Sequence, residues 1–339
     1  MSFNIALNFE DGITRFIQSN PGETVADAAY RQGINIPLDC RDGACGTCKS
    51  FCEAGRYDGG DYIEDALSDE EAGEGYCLTC QMQPQSDIVL RIEASSEMCK
   101  TQATDYAAEV IGVDKLSDST FNLSLKLENA GRLAFLPGQY VNIQVPGTSE
   151  TRSYSFSSPP GADITTFLIR NVPGGLMSGY LAERAKPGDR LTVKGPLGGF
   201  YLRDTKRPVL MLAGGTGLAP FLSMLGTMVE TGCDHPIHLV YGVTNDGDLV
   251  EVETIADHAK RIPGLTFATC VASEDSNHPL KGYVTHHLDE RHLNAGDVDV
   301  YLCGPPPMVE AVRVFFRDQG ITPVNFHYEK FAPSEGGAS

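Results

Sequence analysis

The chain has 339 residues, 41% of them hydrophobic, and a formal net charge of −19. That length suggests two or three domains with cores of their own, and the acidic balance argues against nucleic acid or an anionic membrane as a partner. No window approaches 18 consecutive apolar residues, and the start Met1-Ser2-Phe3-Asn4-Ile5 has no basic or apolar leader region, so a cytoplasmic protein that does not span a membrane is expected.

In chain order, Phe3, Ile5, Leu7 and Phe9 alternate with polar residues as in a half-buried strand; Asp11-Gly12 is a turn, and Ile13 to Ile17 reads as the returning strand. Glu23-Thr24-Val25 leads into a short helix over 26–32, stopped by Gly33. Cys40, Cys45 and Cys48 follow at C-x4-C-x2-C, with Cys77 and Cys80 further on. Three thiols at this spacing with a distant fourth form the ligand pattern of a plant-type [2Fe–2S] cluster. Gly43, Ala44 and Gly46 are small enough for the backbone to wrap tightly and aim N–H groups at sulfur. A structural zinc site is the competing reading, with Cys77-x2-Cys80 as one of its knuckles. A disulfide scaffold does not suit a chain of this length without a leader. Asp87 to Ile92 reads as a closing strand. Residues 1–100 hold 18 Asp/Glu against 7 Lys/Arg. No basic residue lies between Arg56 and Arg91, where Asp58, Asp61, Glu64, Asp65, Asp69, Glu70, Glu71 and Glu74 fall. That run is either a solvated face or a docking surface for a basic patch.

Residues 99–105 are polar and aperiodic, a linker. Short strands then run over 106–113, 120–127, 140–145, 166–171 and 190–194, separated by Pro-Gly turn signals, the texture of an antiparallel barrel or sandwich. Inside it lies Arg152-Ser153-Tyr154-Ser155, and Gly174-Gly175-Leu176-Met177-Ser178 precedes a helical stretch over 179–184, whose free N–H groups suit a phosphate. From about residue 206 strand and helix alternate. The apolar strand Val209 to Ala213 runs into Gly214-Gly215-Thr216-Gly217-Leu218-Ala219-Pro220 and a helix over 221–230, a glycine turn suited to a pyrophosphate. Pro220 departs from G-x-G-x-x-G and is tolerated in a first helical turn. Further strands are expected over 237–242, 266–272 and 298–303; the last runs into Cys303-Gly304-Pro305-Pro306-Pro307-Met308 and a helix to Gln319. The loop Gly242 to Asp248 carries Asp246 and Asp248 and no Arg or Lys, so it can accept from ribose hydroxyls and would repel a 2′-phosphate. The chain closes with Val324 to Phe331 and a tail, 332–339, expected to be disordered.

These motifs, in this order, resemble the reductase components of bacterial multicomponent oxygenases, most of all the benzoate/toluate 1,2-dioxygenase type; reductases of phenol or methane monooxygenases, which share the order, are the second choice. The resemblance implies a multidomain chain: a β-grasp ferredoxin domain over 1–98, an antiparallel β-barrel flavin domain over 106–205 and an α/β parallel-sheet nucleotide domain over 206–331. Leu78-Thr79-Cys80-Gln81 is similar to the fourth-ligand segment of plant-type ferredoxins, which makes the cluster ligands Cys40, Cys45, Cys48 and Cys80 and leaves Cys77, Cys52 and Cys99 as structural thiols. Arg152, Tyr154, Ser155, Arg170, Gly175, Leu176, Met177, Ser178 and Phe331 match the family's FAD contacts. Gly214, Gly215, Thr216, Gly217, Pro220, Asp246, Cys303, Gly304, Pro305 and Met308 are assigned to NAD. Ser155, Cys303, Glu329 and Phe331 are expected to shape the catalytic site. The implied path runs from NADH to FAD to the [2Fe–2S] cluster, and from there singly to a terminal oxygenase with a Rieske-type acceptor cluster. The protein is expected to be a monomer.

Overall fold

The computed structural model describes residues 2–100, 103–128 and 133–331. Its backbone divides into two compact units, residues 1–103 with 197–199, and residues 104–196 with 200–339. The tail expected to be disordered lies outside the described residues, as do positions 101 and 102 of the expected linker.

The first unit begins with β1 (Asn4–Phe9) and β2 (Thr14–Gln18), an antiparallel hairpin, followed by α1 (Val25–Arg31). Then come β3 (Lys49–Ala54), β4 (Tyr57–Asp58), α2 (Asp69–Glu74), β5 (Tyr76–Leu78), β6 (Gln83–Pro84) and β7 (Ile88–Ile92). The main sheet has the order β2-β1-β7-β3-β5, with β1 and β7 parallel, which is the β-grasp arrangement. The alternation of β1 is realised: Ile5, Leu7 and Phe9 point into a core shared with Val25, Ala28 and Leu90. Helix α2 has no apolar stripe to announce it. Its signal is Ser68-Asp69-Glu70-Glu71, a capping box in which Ser68 Oγ accepts from the Glu71 N–H while the Glu71 carboxylate accepts from the Ser68 N–H. Cys99, read from the sequence as the first linker residue, is buried in this core.

The second unit opens with six strands: β8 (Thr104–Lys115), β9 (Thr120–Leu127), β10 (Tyr140–Gln144), β11 (Thr151–Ser155), β12 (Thr165–Arg170) and, after α3 (Leu176–Glu183), β13 (Arg190–Leu197). The sheet order is β11-β10-β13-β8-β9-β12, and a bridge between Phe156 and Phe167 brings its two edges together, so the barrel is nearly closed. Sequence reading missed β11, the strand that carries Arg152 to Ser155. Helix α3 starts at Leu176 rather than 179, because Gly175 caps it in an extended conformation.

The chain then forms β14 (Val209–Gly214), α4 (Ala219–Thr231), β15 (Ile237–Val243), α5 (Val252–Arg261), β16 (Leu265–Val271), α6 (Glu290–Leu293), β17 (Asp299–Gly304), α7 (Pro306–Asp318) and β18 (Asn325–Lys330). All five strands are parallel, in the order β16-β15-β14-β17-β18. The continuous apolar run of β14 is explained by its two covered faces. Met211 and Ala213 join a cluster with Phe221 and Leu225 of α4 and Ile255 of α5, while Leu210 and Leu212 join one with Val309 and Val312 of α7. Leu168 and Phe200 from the barrel belong to the first of these clusters, and the Phe200 ring meets Phe221 and Tyr301 edge-on. The barrel keeps a core of its own, and Leu168 and Phe200 tie it to that of the parallel sheet. No helix among the described residues is long and apolar enough to cross a membrane.

Candidate functional site

In the first unit the loop between α1 and β3 and the segment after β5 bring Cys40, Cys45, Cys48 and Cys80 together. The Cys45 and Cys80 thiols both donate to the Cys40 sulfur, which holds Cys40 well below the ordinary thiol range. Cys80 also lies against Cys48 and lowers it, and its own thiol is pushed up by its contacts with Cys40 and Cys48. The Cys45 N–H also lies 3.3 Å from Cys40 Sγ. Cys77, three residues before Cys80, points the other way: it is buried, its thiol donates to the Ser50 carbonyl at 3.4 Å, and burial raises it. Among the described residues no three His, Cys, Asp or Glu side chains are arranged to hold a single metal ion. Four thiols drawn together with N–H donors on them suit the larger two-iron cluster, which takes four thiolates.

The loop needs its glycines. Gly43 has φ +81, and a Cβ there would lie 2.5 Å from the Asp61 carbonyl oxygen; Gly46 has φ +71 and would meet the Ala66 carbonyl at 3.0 Å. The loop thus packs directly on the acidic segment, and the Ile63 N–H donates to the Gly43 carbonyl at 3.2 Å. Asp58, Asp61, Glu64, Asp65, Asp69, Glu70 and Glu74 are exposed on that segment. Glu71 is not. It is 2% exposed and forms an ion pair with Lys49 Nζ at 2.7 Å, which joins the residue after Cys48 to the helix before β5. The acidic run is therefore of mixed character, and Glu71 belongs to the scaffold.

In the second unit the barrel and the last strand meet at Ser155, whose hydroxyl donates to Glu329 Oε2 at 3.3 Å across 174 residues of sequence. Glu329 pairs in register with Cys303 of β17, and the Phe331 N–H donates to the Gly304 carbonyl at 2.9 Å. Cys303 is fully buried, and its thiol is raised by burial and by the nearby Glu329 carboxylate, so it is protonated. Phe331 packs on the parallel-sheet core that Leu168 and Phe200 also join. Burial raises the Tyr154 phenol, so it too is neutral. Arg152 donates to the Thr151 carbonyl at 2.7 Å and pairs with Glu150 at 3.3 Å. Arg170 and Leu176 are exposed, whereas Met177 lies in the barrel core. The Ser178 hydroxyl is committed to its own loop, accepting from the Val172 N–H and donating to the Arg170 carbonyl. What this turn offers a ligand is its backbone N–H groups at the start of α3.

The strand order reverses direction between β14 and β17, and a crevice beyond the carboxyl ends at such a point is where open α/β sheets bind ligands. Gly214, Gly215, Thr216 and Gly217 lie at that end of β14; Gly304, Pro305 and Met308 lie at the same end of β17. A Cβ on Gly217 would sit 2.4 Å from the Cys303 carbonyl oxygen, and one on Gly214 would sit 2.5 Å from Met308 Sδ. Gly215 to Leu218 form a tight turn, α4 begins at Ala219, and Pro220 occupies its second position. Asp246 follows β15, and a residue that sequence reading passed over holds it: the buried Ser276 donates to Asp246 Oδ1 at 2.7 Å. Thirty residues separate the two, and no local pattern links them.

The sequence matches three family descriptions: a 2Fe-2S iron-sulfur cluster binding domain over residues 8–85, an oxidoreductase FAD-binding domain over 107–201 and an oxidoreductase NAD-binding domain over 211–314. It is 60% identical to the toluate 1,2-dioxygenase electron transfer component of Pseudomonas putida, over 98% of this chain and all of that one. It is 52% identical to the 2-halobenzoate 1,2-dioxygenase electron transfer component of Burkholderia cepacia, over 99% of this chain and all of that one. This chain belongs to the family of dioxygenase electron transfer components. Among solved structures, the family member resembles the Amycolatopsis cytochrome P450 reductase GcoB, with a TM-score of 0.71 and 32% identity over 97% of this chain and 99% of that one. It is an oxidoreductase with FAD-, NAD- and [2Fe–2S]-binding domains, as the order of its motifs implied.

Proposed function

We propose that this reductase takes electrons from NADH and delivers them to the terminal oxygenase of an aromatic-ring dioxygenase of the benzoate or toluate type, whose acceptor is a Rieske-type cluster. The division of labour is a ferredoxin domain over 1–98, a FAD domain over 106–205 and an NAD domain over 206–331, working as a cytoplasmic monomer. Bound flavin and cluster supply the conversion of a two-electron donor into single electrons. The remaining work is done by side chains and backbone.

The observation that carries this reading is the hydrogen bond from Ser155 to Glu329, which joins the flavin motif of the barrel to the strand beside Cys303. Ser155 and Glu329 hold a defined proton between them at the place where flavin and nicotinamide would meet. Arg152 and the N–H groups at the start of α3 would neutralise the FAD pyrophosphate. Tyr154 and Phe331 would flank the ring system, and Arg170 would reach the ribityl or phosphate portion. The turn from Gly214 to Gly217, with Pro220 opening α4, would take the NADH pyrophosphate, and Gly304, Pro305 and Met308 would bound the nicotinamide side. Asp246 would accept from ribose hydroxyls and repel a 2′-phosphate. Cys40, Cys45, Cys48 and Cys80 would hold the cluster. The exposed carboxylates beside that loop would steer a basic patch on the oxygenase.

A fragment covering residues 104–339 tests the electron path. It should bind FAD, oxidise NADH and reduce ferricyanide, yet fail to support the oxygenase. Full oxygenase turnover from the fragment would overturn the assignment of the cluster as the exit.

A further inference from the structure

We propose that Gln81 is a positioning residue for the iron–sulfur site: its side-chain amide clasps the loop from Cys40 to Cys48 onto the segment carrying Cys80 and aims an N–H at the Cys80 sulfur. This rests on the reading that Cys40, Cys45, Cys48 and Cys80 hold a [2Fe–2S] cluster.

Gln81 Nε2 lies 3.1 Å from the Arg41 carbonyl oxygen and 3.7 Å from Cys80 Sγ. A carbonyl only accepts, so the amide end turned to Arg41 is the NH2 group, and its two hydrogens serve both partners. The backbone that carries the side chain is held in place. The Gln81 and Met82 N–H groups both donate to the Leu78 carbonyl at 2.9 Å, which fixes the turn after β5. Gly60 backs onto Gln81, since a Cβ there would lie 2.9 Å from the Gln81 carbonyl and 3.1 Å from its Cβ.

The other end of the clasp is a residue in an unusual conformation. Arg41 has φ +66, a left-handed region that a non-glycine residue occupies only at a cost. Its guanidinium pairs with Asp27 at 2.9 Å and lies 5.7 Å from the centre of the Tyr30 ring, while its carbonyl takes the Gln81 amide. Side chain and main chain of Arg41 are thus tied to different elements, α1 on one side and the Cys80 segment on the other. Arg41 directly follows Cys40, so this tie holds the Cys40 backbone beside the segment that carries Cys80. An N–H aimed at a ligand sulfur stabilises the more negative, reduced cluster more than the oxidised one, so its removal should lower the reduction potential.

The test is a redox titration of the holoprotein, followed by visible absorption and electron paramagnetic resonance, on Gln81→Leu and Gln81→Glu. Leucine removes the donors at similar size; glutamate keeps the shape and removes the donors. Both should shift the one-electron equilibrium against the cluster by about tenfold, which is 59 mV for one electron, while NADH reduces the flavin at the wild-type rate. Loss of iron from either variant with flavin reduction intact would equally support the clasp. Unchanged potentials with full iron and sulfide in both variants would overturn it. Failure of the underlying reading looks different: wild-type protein would lack acid-labile sulfide, or Cys80→Ser would keep its cluster.

Discussion

Replacing Glu71 by alanine removes a carboxylate that accepts from Lys49 Nζ at 2.7 Å and from the Ser68 N–H at 3.0 Å. The two side chains of the pair are 13% and 2% exposed, so the ammonium left behind reaches little water. Removing one partner of a buried pair costs about 3–5 kcal/mol, and the partial exposure of Lys49 points to the lower end. The lost capping bond adds about 1 kcal/mol, for a total of about 4 kcal/mol. With a urea dependence of about 2 kcal/mol per molar, the ferredoxin unit should lose its visible iron–sulfur absorption about 2 M earlier. Asp69→Ala and Glu70→Ala remove exposed charges from the first turn of α2, where each contributes about 0.3–1 kcal/mol through the helix dipole, so their midpoints should move by less than about 0.5 M. The assay is a urea titration of the full-length holoprotein, with flavin fluorescence followed in parallel. The flavin transition should stay in place in all three variants, because Glu71 lies in the other compact unit. Lys49→Met combined with Glu71→Met should recover much of the loss, since an apolar pair strands no charge. A midpoint for Glu71→Ala within 0.5 M of wild type would refute the reasoning.

Cys80→Ser should abolish or badly destabilise the cluster and Cys77→Ser should retain it; equal bleaching of the visible spectrum in both would reverse the assignment. The specificity constant for NADH should exceed that for NADPH, and a higher value for NADPH would remove Asp246 from the role given to it. Reversing Asp69, Glu70 and Glu74 together, with Glu71 left in place, should slow association with the oxygenase in a salt-dependent way, because exposed charges are screened over roughly 8–10 Å near physiological ionic strength. Stopped-flow reduction of the flavin by NADH should be unchanged in that variant, and an unaltered association rate would return the run to a merely solvated face.

Elements with an apolar rhythm were the ones legible beforehand. The alternation in β1, the continuous run of β14 and the glycine turn beyond it each follow from local burial, and each is present within a residue or two of its expected bounds. Strand β11 escaped because Thr151 to Ser155 has a single apolar ring, Tyr154, and no alternation; its place is fixed by pairing with β10, where Ser155 lies opposite Tyr140. Helix α2 escaped for the same reason, although its capping box was there to be read. Site chemistry divides in the same way. Cysteine spacing is written in the sequence, as are the short motifs of the barrel and sheet. The Lys49–Glu71 pair and the bond from Ser276 to Asp246 join residues 22 and 30 apart, and only the folded chain brings them within reach.

The hydrogen bond between Ser155 and Glu329 also sets an order of events during synthesis. Domains form roughly as they leave the ribosome, so the barrel is complete long before β18, the last strand of the chain's last sheet, can dock beside β17. Until then Ser155 has no Glu329 and the crevice beside Cys303 has an open edge. A chain that stalls or is clipped before residue 325 has every strand of the barrel and no β18. It would lack the strand that carries Glu329 and leads to Phe331, so on the proposed reading a truncated product would have no ready means of drawing on the cell's NADH.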